Sequence, residues 1–414
     1  MVKHKATPLP KKKQKLKPMD EEIDSDEADI ENEDDFFEPE ETPEEKRIRL
    51  AKELIKKAEE SMDPDEVNTA LTHSALSSQG RFISSIAEEV KDLSTAFAKG
   101  HLLGVTCLAV SSGVCVTGSK DCCLIVWSLE TLQKLHIIKG FRHDKKCGGH
   151  SDEIIGVAIS DDGKFIVSGG KDRIIRVWDG RTYEFLDAFK GHRDTITSVK
   201  FMPFSHVLVS ISADRSVKTW NCDDMVFLDT YFGHQSHILD LDTLPGERAL
   251  TCSRDCTARI WKTQEDSQIV FSGHIQSIDC VRAVAYDTFV TGGQDGSLSL
   301  WKISKKKPFK KYQNAHGGEW ITALAVLKGT DLVASGSSDG WVRFYKVGEA
   351  IQEVNKVCVK GYVNALEFTA NGEKLVAGIS ANHKWGRWMP DIKTKPGITV
   401  IQTGVKLTHE ILSN

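Results

Sequence analysis

The sequence contains no apolar run that approaches the ~20 residues a membrane-spanning helix requires. Residues 1–17 are polar and basic and lack the apolar centre of a secretory signal. There is no Asn-x-Ser/Thr sequon. None of the ten cysteines (Cys107, Cys115, Cys122, Cys123, Cys147, Cys222, Cys252, Cys256, Cys280, Cys358) forms a Cys-x-x-Cys pair. Cys252 and Cys256 have no second pair of ligands at zinc spacing. Most of the ten sit in apolar, strand-like runs and read as reduced core thiols, so neither a disulfide framework nor a metal centre is expected. A nucleophile elbow, a Walker A loop, a dinucleotide fingerprint and a His-Glu-x-x-His pair find no place either, which leaves catalysis and cofactors without a candidate. The expectation is a soluble protein of the cytoplasm or nucleus, with no membrane contact and no small-molecule substrate.

Charge is abundant but unevenly spread. Residues 1–100 carry 16 Lys/Arg against 25 Asp/Glu, and the rest of the chain 38 against 34, so an acidic leader precedes a mildly basic body. Lys3, Lys5, Lys11, Lys12, Lys13, Lys15 and Lys17 form two short basic clusters; from Asp20 to Glu45 there are sixteen acidic residues and no basic one. With so little apolar surface to bury, residues 1–41 are expected to be disordered. The basic clusters read either as a nuclear or nucleolar targeting signal or as a solvated charge run. Thr42, Pro43 and Glu45 then make a capping box, and Ile48, Ala51, Leu54, Ile55 and Ala58 follow at helical spacing. Lys46, Arg47, Arg49 and Lys52 occupy the other faces of that helix, and Asp63-Pro64-Asp65 ends it. A second helical stretch is expected over residues 66–89, so 42–92 reads as a helical extension.

From Gly100 the chain repeats itself, and the repeat decides the fold. Gly-His recurs at Gly100-His101, Gly149-His150, Gly191-His192, Gly233-His234 and Gly273-His274, with Ala315-His316 as a degenerate sixth copy. An Asp follows each His after 20–23 positions: Asp121, Asp172, Asp214, Asp255, Asp295 and Asp339. Six positions beyond each Asp stands Trp127, Trp178, Trp220, Trp261, Trp301 or, in the sixth copy, Tyr345. Four positions before it stands a hydroxyl: Thr117, Ser168, Ser210, Thr251, Thr291 and Ser335. Six copies argue against a hydrolase triad, which occurs once and beside a pocket.

Four residue classes at matched offsets resemble the WD-repeat family, whose units are four-stranded propeller blades. The resemblance implies an all-β, seven-bladed WD-repeat β-propeller over residues 93–403, with a disordered and helical N-terminal extension and a C-terminal tail at 404–414. It also implies that within a blade the Asp holds the His ring, the His meets the hydroxyl, and the hydroxyl meets the indole N–H. In the sixth copy the Tyr345 phenol would take the indole's donor role. Residues 361–403 would supply the seventh blade through four strand-like runs at 363–369, 374–379, 386–391 and 398–402. Residues 93–99 and 398–402 both suit the closing edge, and the sequence leaves the choice open.

Features outside the repeat narrow the family. They are the helix at 42–59, basic insertions at 139–149 and 304–311, and the run His383-Lys384-Trp385-Gly386-Arg387-Trp388. With Lys120-Asp121-Cys122 and the blade segments 191–194, 214–220, 267–280 and 295–301, they resemble the WD-repeat protein of the U3 small nucleolar ribonucleoprotein. That resemblance implies a non-catalytic nuclear and nucleolar scaffold. Its RNA would be the box B/C region of U3 small nucleolar RNA. Its protein partners would be a small kink-turn-binding protein and other box C/D and small-subunit processome proteins, in pre-ribosomal RNA cleavage and 18S maturation. Lys and Arg clusters suit such a role because they displace counterions from phosphates. The candidate contacts are Lys305, Lys306, Lys307, Lys310 and Lys311, then Lys384 and Arg387, then Lys46, Arg47, Arg49 and Lys52; each also reads as solvated surface charge. Trp385 and Trp388 read either as stacking platforms for bases or as blade packing. The rival reading is a WD-repeat adaptor that binds only protein or peptide partners at the channel mouth.

Overall fold

The computed structural model describes residues 84–91, 93–111, 113–141, 148–348, 350–386 and 394–405. The expected disordered tail, the helix at 42–59 and the first part of the second helical stretch lie outside these residues. Seven antiparallel four-stranded sheets follow one another. Blade 1 spans 105–138, blade 2 154–190, blade 3 196–232, blade 4 238–272, blade 5 278–312 and blade 6 321–358. Blade 7 consists of Tyr362–Phe368, Lys374–Ser380, Gly397–Gln402 and, from the other end of the propeller, Ser94–Lys99.

The inner three strands of each blade are packed on both faces and so read as almost unbroken apolar runs, such as Phe165–Gly170 and Leu332–Ser337. Outer strands such as Phe185–Lys190 are largely exposed. The described residues share no single core. Seven buried clusters lie one at each junction between neighbouring blades, for example Ile175, Val177 and Phe189 of blade 2 against Ile196, Val199 and Trp220 of blade 3. Each blade is therefore stabilised by both neighbours, and the ring depends on its closure.

Closure uses both strands that the sequence set in competition. Gly397–Gln402 hydrogen-bonds to Lys374–Ser380 on one side, and Ser94–Lys99 pairs with it on the other, with Thr95 opposite Ile401. Of the expected strand at 386–391, Gly386 lies in a loop and 387–391 fall outside the described residues.

The expected helix through residue 89 gives way, from Ser84 onward, to an extended strap with one 3-10 turn, Ala87–Glu89. The reason is Asp331. Its buried carboxylate accepts the Ile86 and Ala87 amides at 2.8 and 3.0 Å and the Ser85 hydroxyl at 3.0 Å. Ile86, Ala87 and Val90 complete the apolar cluster between blades 6 and 7. Asn355 binds the carbonyls of Val90 and Lys91, and the strap leads into Ser94–Lys99.

In blades 1 to 4 the repeated residues join into one buried chain. In blade 2, His150 Nδ1 meets Asp172 Oδ2 at 2.8 Å, His150 Nε2 meets Ser168 Oγ at 2.7 Å, and Trp178 Nε1 donates to the same hydroxyl at 3.1 Å. Blades 1, 3 and 4 repeat this with His101–Thr117–Trp127, His192–Ser210–Trp220 and His234–Thr251–Trp261, each His facing its Asp at 2.9–3.2 Å. The carboxylate only accepts and the indole only donates. A neutral ring therefore carries its proton on Nδ1 and accepts the hydroxyl proton at Nε2. Burial, outweighing the attraction of Asp172 and Asp255, lowers the pKa of His150 and His234 and favours that neutral form. The preceding glycine permits the packing: a Cβ on Gly100 would lie 2.3 Å from the Trp127 ring.

Two copies depart from this arrangement. In blade 5, His274 meets Thr291 at 2.7 Å and Trp301 donates to Thr291 at 2.8 Å, but His274 Nδ1 has no partner among the described residues. Asp295 turns to Ser297 and to Lys311 Nζ at 3.2 Å, so the expected His274–Asp295 link is absent. In blades 2 and 6, Arg176 and Arg343 lie beside the tetrad Asp; blade 5 has Ser299 at that register, and Lys311 supplies the cation instead. In blade 6, His316 bridges Asp339 and Ser335, while the Tyr345 phenol donates to the Ala315 carbonyl at 3.0 Å. Blade 7 places buried Ala377 and Ile401 at the hydroxyl and indole registers, so packing replaces the network.

Asp331→Ala should leave two buried amides unbonded and cost roughly 2–4 kcal/mol. Hydrogen exchange at Ile86 and Ala87 should rise with it, and unchanged exchange would contradict the account of the strap. Burial, reinforced by Lys311, holds His274 down at about 4 despite Asp295, against an unfolded value near 6.5. The unfolded chain therefore binds this proton first, and the contribution to stability, full above about pH 6.5, is lost as pH falls towards 4. His274→Gln should flatten the stability curve over that window by on the order of 2–3 kcal/mol, read from urea midpoints. Parallel curves would contradict a neutral His274 ring whose Nδ1 is not paired with Asp295.

Candidate nucleic-acid interface

The basic insertion of blade 5 lies between Leu298–Lys302 and Lys310–Tyr312. Its backbone is fixed: Lys305 N donates to the Lys302 carbonyl at 2.8 Å, Lys306 O accepts Ser272 N at 3.3 Å, and Phe309 N donates to Leu300 O at 3.0 Å. Pro308 packs against Gly273 so closely that a Cβ there would lie 2.5 Å from it. The loop is thus seated at the circumference, where blades 4 and 5 meet, with Lys305, Lys306, Lys307 and Lys310 exposed. Among the described residues these four have no carboxylate partner, which leaves them available to phosphate. Lys311 differs from the expectation. It is paired with Asp295 and mostly covered, so it serves the blade rather than the surface.

Lys384 lies elsewhere, in the turn that follows Lys374–Ser380. Its amide donates to Asn364 Oδ1 at 3.1 Å, and its ammonium lies 5.6 Å from the centre of the Trp385 ring. It lines one end of the central channel, and its charge offsets part of the burial that raises the pKa of Asp279. The structure therefore does not bring Lys384 together with the lysines of blade 5. Trp385 is half-buried, and its indole N–H has no partner among the described residues. Arg387, Trp388, Lys46, Arg47, Arg49 and Lys52 lie outside the described residues, as does most of the other basic insertion, 142–147.

Sequence reasoning missed what holds this turn. Lys120 is buried, and its ammonium donates to the carbonyls of His383 and Gly386 at 2.7 and 3.0 Å. His383 in turn lies edge-on to Trp320. The channel wall was also missed. Ala109, Ala158, Lys200, Asp242, Arg282, Ala325 and Glu367 occupy one register of the seven inner strands. Lys200 pairs with Glu367 at 2.7 Å and Arg282 with Asp240 at 2.6 Å. A charged residue in the middle of an otherwise apolar inner strand was the available signal. Because these charges neutralise one another, the channel is not a phosphate tunnel.

Contrary to the expectation from the sequence, one Gly-x-Ser-x-Gly spacing does occur, at Gly336-Ser337-Ser338-Asp339-Gly340, but it joins two strands rather than the strand and helix of a nucleophile elbow. Asp339 is bonded to His316, and the Ser338 hydroxyl to Glu319. Among the described residues no His, Cys, Asp and Glu side chains are grouped to hold a metal ion. No described helix is long and apolar enough to cross a membrane.

Residues 92–128, 142–179, 183–221, 225–262, 265–302 and 307–346 match the model of the WD domain, G-beta repeat. "U3 small nucleolar RNA-interacting protein 2" of Mus musculus is 37% identical over 393 residues, covering 87% of this chain and 82% of the relative. The Homo sapiens protein of the same name is 36% identical over 391 residues, with the same coverage. A solved structure described as "Structure of U3-55K" superposes with a TM-score of 0.72 at 37% identity, covering 74% of this chain and 98% of that one. The chain therefore belongs to the WD-repeat family and, within it, to the family of the U3 small nucleolar RNA-interacting proteins.

Proposed function

We propose that the protein is a non-catalytic RNA-binding scaffold of the U3 small nucleolar ribonucleoprotein in the nucleolus. It binds U3 small nucleolar RNA in the box B/C region, beside a small kink-turn-binding protein. With other box C/D and processome proteins it serves pre-ribosomal RNA processing and 18S maturation. The observation that carries this reading is the identity of more than a third, over nearly the whole chain, to mammalian proteins named for interaction with U3 small nucleolar RNA. The exposed lysines of blade 5 give it a physical means, since an anchored loop presents phosphate-binding charge at little ordering cost. A scaffold role agrees with the tetrads. Their His and hydroxyl groups are buried and their Asp side chains mostly covered, and they engage mainly with one another or, for Asp295, with Lys311, so they are not poised to act on a substrate.

Lys305→Glu/Lys306→Glu/Lys307→Glu should weaken binding of a U3 box B/C fragment at least tenfold. It should also make the slope of log K against log salt shallower by about 0.7–0.9 for each phosphate that is no longer neutralised. Thermal stability should not change, because none of the three side chains is bonded to another of the described residues. Lys311→Glu should act differently, lowering stability through Asp295. Equal RNA affinity and salt slope in the triple variant would exclude this loop as the RNA-binding element.

A further inference from the structure

The outer strands of blades 1, 2, 3 and 6 share an irregularity. In each, one extra residue bulges out beside the tetrad aromatic of the neighbouring strand: Leu135, Leu186, Leu228 and Val354. Such a bulge interrupts the free edge of a sheet, so a passing chain cannot simply add a fifth strand there. Blade 6 shows what the position does instead. Val354 packs against the cluster that holds Ile86, Ala87 and Val90 of the strap. The next residue, Asn355, caps its own strand, its Oδ1 accepting the Lys356 amide at 2.8 Å. Its Nδ2 is left to hold the strap, donating to the carbonyls of Val90 and Lys91 at 3.2 and 3.1 Å.

Blades 2 and 3 carry the same device uncovered. Leu186 and Leu228 are 43% and 49% exposed, and Phe185, Val226 and Phe227 beside them are exposed as well. Asp187 and Asp229 stand at the register of Asn355. They cap their own strands in the same way, each Oδ1 accepting the next amide, of Ala188 at 2.7 Å and of Thr230 at 2.6 Å. Each leaves its Oδ2 without a bonded partner among the described residues. Where Asn355 offers donors, these carboxylates offer acceptors only. The cations of this edge lie at its margins or are engaged: Arg181 and Lys190 stand at the two ends of the blade 2 strand, and Lys218 is bonded to Thr230 at 2.6 Å. Blade 1 differs. His136 takes the register of Asn355 and stacks on Tyr183 of blade 2 at 5.3 Å, which covers that junction.

We propose that the outer edges of blades 2 and 3 dock an extended segment of a partner protein, as the strap docks on blade 6. Aliphatic side chains of that segment cover Leu186 and Leu228, and its Lys or Arg side chains donate to the free oxygens of Asp187 and Asp229. Charge complementarity sets the basic half, because the acceptors stand beside the apolar bulges in the middle of each strand. The same carboxylates repel phosphate and the aliphatic bulges give bases no stacking face, so the edge suits protein and not RNA. The inference does not rest on the RNA reading, whose lysines lie on blade 5.

The test replaces Leu228 by the photocrosslinking residue p-benzoylphenylalanine in the full chain, in its own cells, and identifies the attached peptides by mass spectrometry. The expected products are segments of another protein that combine Lys or Arg with Leu, Ile or Val, above the background given by the same group at exposed Asn371. Asp187→Asn/Asp229→Asn keeps the cap on each strand, as Asn355 does, and turns the free acceptor into a donor. It should lower the crosslink yield about tenfold or more. The thermal midpoint and the affinity for the U3 box B/C fragment should stay at their wild-type values. The proposal is overturned if RNA or peptides of this same chain are attached, if nothing exceeds the background, or if the attached segments lack this composition. It is equally overturned if the double variant crosslinks as well as the wild type does. Loss of the RNA fragment by that variant also overturns it, since the edge would then serve nucleic acid.

Discussion

A buried hydroxyl that accepts an indole proton and gives its own to a histidine is the interaction on which the structure depends. It joins two strands and the loop that enters the blade, in a place where water cannot substitute. An unbonded indole N–H or imidazole nitrogen there would cost about 1–3 kcal/mol, so the four groups are best kept or replaced together. The chain does both. Blades 1 to 4 keep the full set, and blade 7 replaces the hydroxyl and indole with Ala377 and Ile401. Blades 5 and 6 modify it, through Lys311 on Asp295 and through the Tyr345–Ala315 bond.

The rigid blades make a ring only because its ends are sewn together. With a cluster at each of the seven junctions and no central core, a gap anywhere would expose two blade faces. The final blade takes its outer strand from the start of the propeller, and the strap bonded to Asp331 fills the junction beside it. Blade 7 also supplies the turn that Lys120 pins at the channel mouth. A residue that looks like a surface lysine in the sequence thereby links the first blade to the last.

Repetition made most of this legible. Six copies of one spacing define the blades, their turns and the identity of every tetrad residue without any tertiary information. What was not legible has physical causes. The His274–Asp295 link looked intact because spacing reports which residues can meet, not which competing cation one of them prefers. Lys311 looked like its neighbours in a lysine run, although alternation along a strand turns it inward beside Asp295. Residues 84–91 have helical composition, yet an acceptor more than 240 positions away bonds their amides and draws them out into a strap. The closing strands could not be ranked because both are used. Of the candidate surface, the exposed lysines of blade 5 were readable as charge, whereas the Lys200–Glu367 pair of the channel depends on which strands face one another across the ring.

Membership of the U3 small nucleolar RNA-interacting family and an anchored loop of exposed lysines support the central proposal, that this propeller holds U3 small nucleolar RNA. Crosslinking of the tagged protein in its own cells, followed by sequencing of the attached RNA, measures that most directly. The account predicts crosslinks concentrated on U3 small nucleolar RNA and centred on its box B/C region. Protein partners recovered with no RNA above background would contradict it.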